Sequence, residues 1–253
     1  MPAPLSSNVR LYKTHSFMQK RLKDYVRYSS QEALAEAFRQ LADSSRRINQ
    51  WIDKNLPRTE RRILFVNLLA SSADYLEIST QSSSMHISVL ALSTRSLYEM
   101  NLRLRTMLED ESEIGKWASE LVTDKVEVFK GILELDPQGQ SADKREILEN
   151  EIVRLNAIVK KHKLPEVKRP ESAGSITKRV GLEKEHKGLF KLFSKLIHPS
   201  SYLVNHYQGA ASDENRMILQ IHAQLYAIDT IQRICGALSV PEEISTPYGH
   251  QQA

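Results

Sequence analysis

Apolar residues recur along this chain at three- and four-residue spacing, the period of amphipathic helices, with almost no strict alternation. A first basic amphipathic segment, Val9 to Tyr28, offers Leu11, Phe17, Leu22 and Val26 as anchors. Ser29-Ser30-Gln31-Glu32 reads as a capping box, with Ser29 as the cap and Glu32 reaching back. The predicted helix behind it runs to about Asn55, with Leu34, Phe38, Leu41, Ile48, Trp51 and Ile52 on one face, and Pro57 breaks it. Thr59 caps a third segment through Ile63, Val66, Leu69, Ala73, Leu76 and Ile78. Met85 to Leu108 is apolar nearly all round, so it is predicted to lie inside a bundle.

A capping signal at Asp110-Glu111-Ser112-Glu113 opens the next helix, through Ile114, Trp117, Leu121, Val126, Phe129 and Ile132. Asp136-Pro137-Gln138-Gly139 is a turn, and Ser141 begins a charged helix to about His162. Leu164 to Leu182 is the longest irregular stretch, punctuated by Pro165, Pro170, Gly174 and Gly181. Glu183 to Ile197 leads into His198-Pro199, and Ser212 caps a last helix to Leu238. The expectation is an all-α fold, a single helical bundle of about seven to nine helices with a long irregular segment before the His198 helix. Residues 1–30 read as an N-terminal arm, 31–240 as the bundle and 241–253 as a flexible tail.

Composition agrees. The 253 residues include only 9 glycines and 9 prolines, and runs such as Arg58 to Glu113 contain neither, so strand-bounding turns are missing. A single cysteine, Cys235, excludes an internal disulfide framework. No window is apolar for the roughly 18 residues that span a bilayer, and the first residues lack a signal pattern. A cytoplasmic protein is the expectation.

The net charge of +4 is unevenly spread. Acids dominate from Glu109 to Glu151, and bases from Arg154 to Lys195. Lys160, Lys161, Lys168, Arg169, Lys178, Arg179, Lys191 and Lys195 could form a phosphate-binding face, with RNA as a possible partner, or simply a solvated one.

Candidate chemistry is sparse. Arg95 and Glu99 share one face of the apolar central helix, where they either pair with each other or line a polar pocket. His198 precedes Pro199, so it falls at a helix end or kink; Ser194, Ser200 and Tyr202 make its surroundings polar. An imidazole there can serve as a general acid or base, or only interact with the last carbonyls. The expectation is that Arg95, Glu99 and His198 converge. No His-Glu-x-x-His, phosphate loop or dinucleotide fingerprint exists, so no metal and no cofactor are expected.

The elements Arg95-Ser96-Leu97-Tyr98-Glu99 and Phe193-Ser194-Lys195-Leu196-Ile197-His198-Pro199-Ser200 resemble a bacterial family of helical proteins catalogued as DUF5677. There an Arg-x3-Glu in a central helix recurs with a later Ser-x3-His-Pro/Ser; the resemblance spans Leu68 to Leu238. That family is more distantly similar to HEPN domains. Many of these are ribonucleases of toxin–antitoxin and antiviral systems, with Arg-x4-6-His on one helix and a dimeric site. The resemblance implies an RNA-directed protein, a metal-independent endoribonuclease if it is an enzyme, acting in bacterial toxin or antiphage defence. It also implies a homodimer and a protein partner such as an antitoxin or defence subunit. This chain has no arginine four to seven residues before His198, so Arg95 would have to supply the guanidinium from another helix. The alternative is a non-catalytic helical interaction or regulatory module. The segment 164–182 would be either a phosphate-contacting flap over the site or a disordered linker.

Overall fold

The computed structural model describes residues 22–27, 29–81, 84–135, 142–167 and 169–248. Among them there is no strand. Seven helices of fourteen residues or more carry the fold: α1 (Gln31–Asn55), α2 (Glu60–Thr80), α3 (Ile87–Glu109), α4 (Ser112–Glu134), α5 (Ala142–Lys161), α7 (Glu183–Leu196) and α10 (Asp213–Leu238). Four shorter pieces join them: α6 (Ala173–Arg179), α8 (Ser201–Asn205), α9 (Tyr207–Ala210) and α11 (Glu242–Ser245). The basic segment Val9 to Arg21 lies outside the described residues. No helix among those described is long and apolar enough to cross a membrane.

Helix starts follow the hydroxyl residues. Thr59 accepts a hydrogen bond from the Arg62 N–H and Ser212 from that of Asn215, as the capping pattern predicts. The α1 cap is Ser30, not Ser29; its Oγ accepts from the Ala33 N–H.

Helices α1, α2, α3 and α10 enclose the main core. α3 touches both α2 and α10, and α1 touches the same two from the other side. Phe38, Leu41, Ile48 and Ile52 of α1 meet Phe65, Leu69 and Leu76 of α2, all fully buried. α3 is the central helix, as its all-round apolarity predicts, with Leu90, Leu97, Leu102 and Leu104 enclosed. α6 and α7 lie along α3. The α4–α5 hairpin instead owns a small separate core, Val122, Val126 and Leu155.

Two expectations change. Leu164 to Leu182 is not a contact-free linker: Ile176 and Thr177 of α6 are buried, and the Thr123 hydroxyl donates to the Val167 carbonyl. The tail is not free from Pro241 either. Thr246 O accepts from the Ser44 hydroxyl and the Arg47 guanidinium. Tyr248 lies under the Arg27 guanidinium at 4.0 Å. Residues 249–253 lie outside the description.

Candidate functional site

Of the polar groups that sequence singles out on α3, Arg95 meets α7, and no described hydrogen bond joins either Arg95 or Glu99 to the His198 kink. Arg95 Nε donates to Glu99 Oε1 at 2.7 Å, and both side chains keep about a third of their surface in water (29% and 40%). They form a rim pair, not a buried one. The Arg95 guanidinium lies 5.8 Å from the ring centre of Phe190, an exposed aromatic on α7.

One turn along each helix, Tyr98 and His186 come together. The Tyr98 hydroxyl and His186 Nδ1 are 3.1 Å apart. The His186 ring also adjoins Phe190, with centroids 5.3 Å apart, so Phe190 borders both the guanidinium and the imidazole. A Cβ placed on Gly174 would sit 3.5 Å from His186 Nε2. The glycine therefore leaves space beside that nitrogen.

Below them, Tyr226 of α10 stands against Tyr98 with centroids 4.9 Å apart and donates its hydroxyl to Glu185. Burial raises both phenols well above the ordinary tyrosine range, and the negative charge of Glu185 reinforces it. Both phenols stay protonated at neutral pH and act as fixed hydroxyls. Cys235 is buried in the same way, its thiol pushed up to about 12, and is chemically quiet.

His198 does not join this cluster. It is exposed, two helical turns beyond Phe190, roughly 12 Å along the axis. No hydrogen bond among the described residues links Arg95 or Glu99 to His198, Ser194 or Tyr202. The Ser194 hydroxyl donates to the Lys191 carbonyl instead. Ser200 caps α8 and donates to the Lys195 carbonyl. The Tyr202 ring lies tilted against His206, with centroids 5.9 Å apart. The His-Pro element turns the chain and places no imidazole at the Arg95 pair.

The basic residues also divide. Arg179 is bound by Glu113 and Glu171 and is not a free phosphate contact. Arg169 borders a cavity lined by Glu113, Glu120 and Glu171. Lys160, Lys161, Lys178, Lys191 and Lys195 are exposed, and Lys168 lies outside the described residues. α6 does lie beside the cluster, as Gly174 shows. No group of three or more described His, Cys, Asp or Glu residues is placed to hold a metal ion.

Sequence reasoning missed His186, Glu185 and Tyr226. A signal existed: His186 falls in register with Leu189, Phe193 and Leu196, the buried stripe of α7. A histidine on a core-facing stripe needs a polar partner, and Tyr98 is that partner. Also missed was a second network on α3. Asn101 Nδ2 donates to Asp229 Oδ2 at 2.8 Å, and Arg105 and Arg233 reach the same oxygen. Arg103 pairs with Glu120 at 2.9 Å.

Comparison with curated proteins and with solved structures returned no match. The model of the Family of unknown function (DUF5677) matches residues 61–216, a span that takes in α3, α7 and the His198-Pro199 turn, and the chain belongs to that family.

Proposed function

We propose that this protein acts on RNA, that the α3–α7–α10 cluster holds a phosphodiester, and that His186, not His198, is the imidazole that handles the proton. The observation that carries the reading is the exposed Phe190 ring, with the Arg95 guanidinium 5.8 Å and the His186 ring 5.3 Å from its centre. Unstacked bases are recognised on aromatic faces, and guanidinium groups hold phosphate oxygens. Glu99 fixes Arg95, and Tyr98 fixes the ring through Nδ1, which leaves Nε2 for substrate.

The reaction that suits such residues is attack of the ribose 2′-hydroxyl on the adjacent phosphorus. His186 takes the 2′-hydroxyl proton, Arg95 offsets the charge on the phosphoryl oxygens, and the departing 5′-oxygen is protonated from solvent. The products are a 2′,3′-cyclic phosphate and a 5′-hydroxyl. A role in bacterial toxin or antiphage defence, a homodimeric assembly and an antitoxin or defence-subunit partner belong to the same proposal.

The test is incubation of purified protein with RNA in EDTA. His186→Ala and Arg95→Ala should abolish cleavage, and His198→Ala should retain it. Cleavage that survives His186→Ala, or no cleavage and no RNA binding by wild type, rejects the reading. One observation favours the non-catalytic module instead: Arg95 with Glu99, Tyr98 with His186 and Tyr226 with Glu185 already satisfy one another. Under that reading RNA is untouched, and the same substitutions change only stability or partner binding.

A further inference from the structure

A cavity of about 870 Å³ lies between α4, the end of α5 and the connector that follows, well within the size range of small-ligand sites. Three ammonium groups border it: Lys130 from α4, Lys160 from α5 and Lys163 just beyond. None of the three has an ion-pair partner among the described residues. Two carboxylates, Glu127 and Glu166, also border it, so the lining keeps a net positive charge. Val126 and Val159 give it an apolar wall.

Two features are not explained by folding alone. Ser119 lines the cavity and is 2% exposed, yet its Oγ has no hydrogen-bond partner among the described residues. Buried hydroxyls are normally satisfied. Lys163 sits in the left-handed region, with φ of 51°, at the position after α5 where the Leu164 N–H closes back on the Val159 carbonyl. Glycine is the usual residue there, and a lysine is strained. The strain is borne by the residue that places a third cation at the cavity.

We propose that this cavity binds a phosphate ester: the lysines take the phosphate, Ser119 hydrogen-bonds the ligand, and the valine wall holds its apolar or aromatic body. The ester is either a free nucleotide or one phosphate of an RNA strand. The site is separate from the Arg95–His186 cluster and does not depend on the function assigned there.

Calorimetric titration of the full chain with AMP, and separately with an eight-nucleotide RNA lacking terminal phosphates, tests it. Lys130→Ala/Lys160→Ala/Lys163→Ala should weaken binding by about tenfold or more, and the triple arginine variant should retain it. In the RNA arm the alanine variant should also flatten the log–log salt dependence by about 0.7, since about 0.7 counterion is released per phosphate contact on a single strand. Ser119→Ala should weaken binding while leaving the circular dichroism melt within about 2 °C of wild type. Weakened AMP binding assigns the site to free esters, and weakened RNA binding to the strand. No binding of either probe at about 1 mM, or equal binding by wild type and the lysine variant, overturns the proposal. Loss of AMP binding in the lysine variant with RNA cleavage retained, or AMP binding without RNA cleavage in wild type, separates failure of this proposal from failure of the cleavage reading.

Discussion

α3 carries two charged clusters a turn or two apart, built from similar residues and placed in different surroundings. At the Arg95 end the pair is within one helix, at i and i+4, and open to water. At the Asn101–Arg105 end the partners come from other helices and are enclosed: Asp229 is 6% exposed and Glu120 5%. An exposed pair contributes little to stability, and its side chains remain available to a ligand. A buried pair has lost its water, so each member depends on the others, and it serves to fix which helix faces which. The difference teaches that the candidate site should be sought where α3 can lose a side chain cheaply.

The sharpest way to break this comparison is Asp229→Ala. It leaves Asn101, Arg105 and Arg233 without their shared acceptor. The expected cost is about 3 kcal/mol. For a chain of this size that lowers Tm by roughly 6–12 °C. A thermal melt within a degree of wild type would show that the network is not structural.

Next come the two buried glutamates of α4, which should respond oppositely to acid. Hydrogen bonds from Arg179 hold Glu113 below the ordinary carboxylate range. Its stabilisation is complete above the unfolded value and is lost as pH falls through the lower folded value. Burial raises Glu120, against the pull of Arg103. Its ionised form is the costly one, so stability is regained as pH falls from the raised folded value towards the unfolded one. Urea unfolding between about pH 3 and 7 should therefore show a shallower acid limb in Glu113→Gln and a steeper one in Glu120→Gln. Parallel shifts in both variants would contradict the assignment.

Arg95→Ala should have the smallest effect on stability, about 0.5 kcal/mol, because its pair is half-solvated and local. Its effect on RNA binding should be the largest of these four variants. A loss of stability close to that of Asp229→Ala would erase the distinction between the two ends of α3.

Much of the fold was legible in the chain. The central place of α3 follows from apolar residues on every side, and the helix starts at Thr59 and Ser212 from hydroxyls that satisfy free N–H groups. The Arg95–Glu99 pairing was legible too, because four-residue spacing places both on one face. The expected convergence with His198 has no described hydrogen bond behind it: none joins its imidazole to Arg95 or Glu99. The helix before Pro199 does end there, but its length carries the imidazole about two turns past Phe190. The docking of Val240 to Tyr248 was hidden for a related reason: a short segment with few apolar residues is held by Ser44, Arg47 and Arg27, groups distant in sequence.

Sequence by itself determined what is local: which stretches are helical, where they start, which faces are apolar, and which residues one helix brings together. These depend on periods of three to four residues and on capping within a turn. Only the tertiary structure decided that His186 faces Tyr98, that Asp229 collects Asn101 and Arg105, and that three lysines share a cavity with Ser119. The Tyr98–His186, Asn101–Asp229 and Arg105–Asp229 contacts join residues 88 or more positions apart, and they depend on how helices are rotated and offset against one another. That is set by the packing of the whole core, which no single stretch of the chain contains.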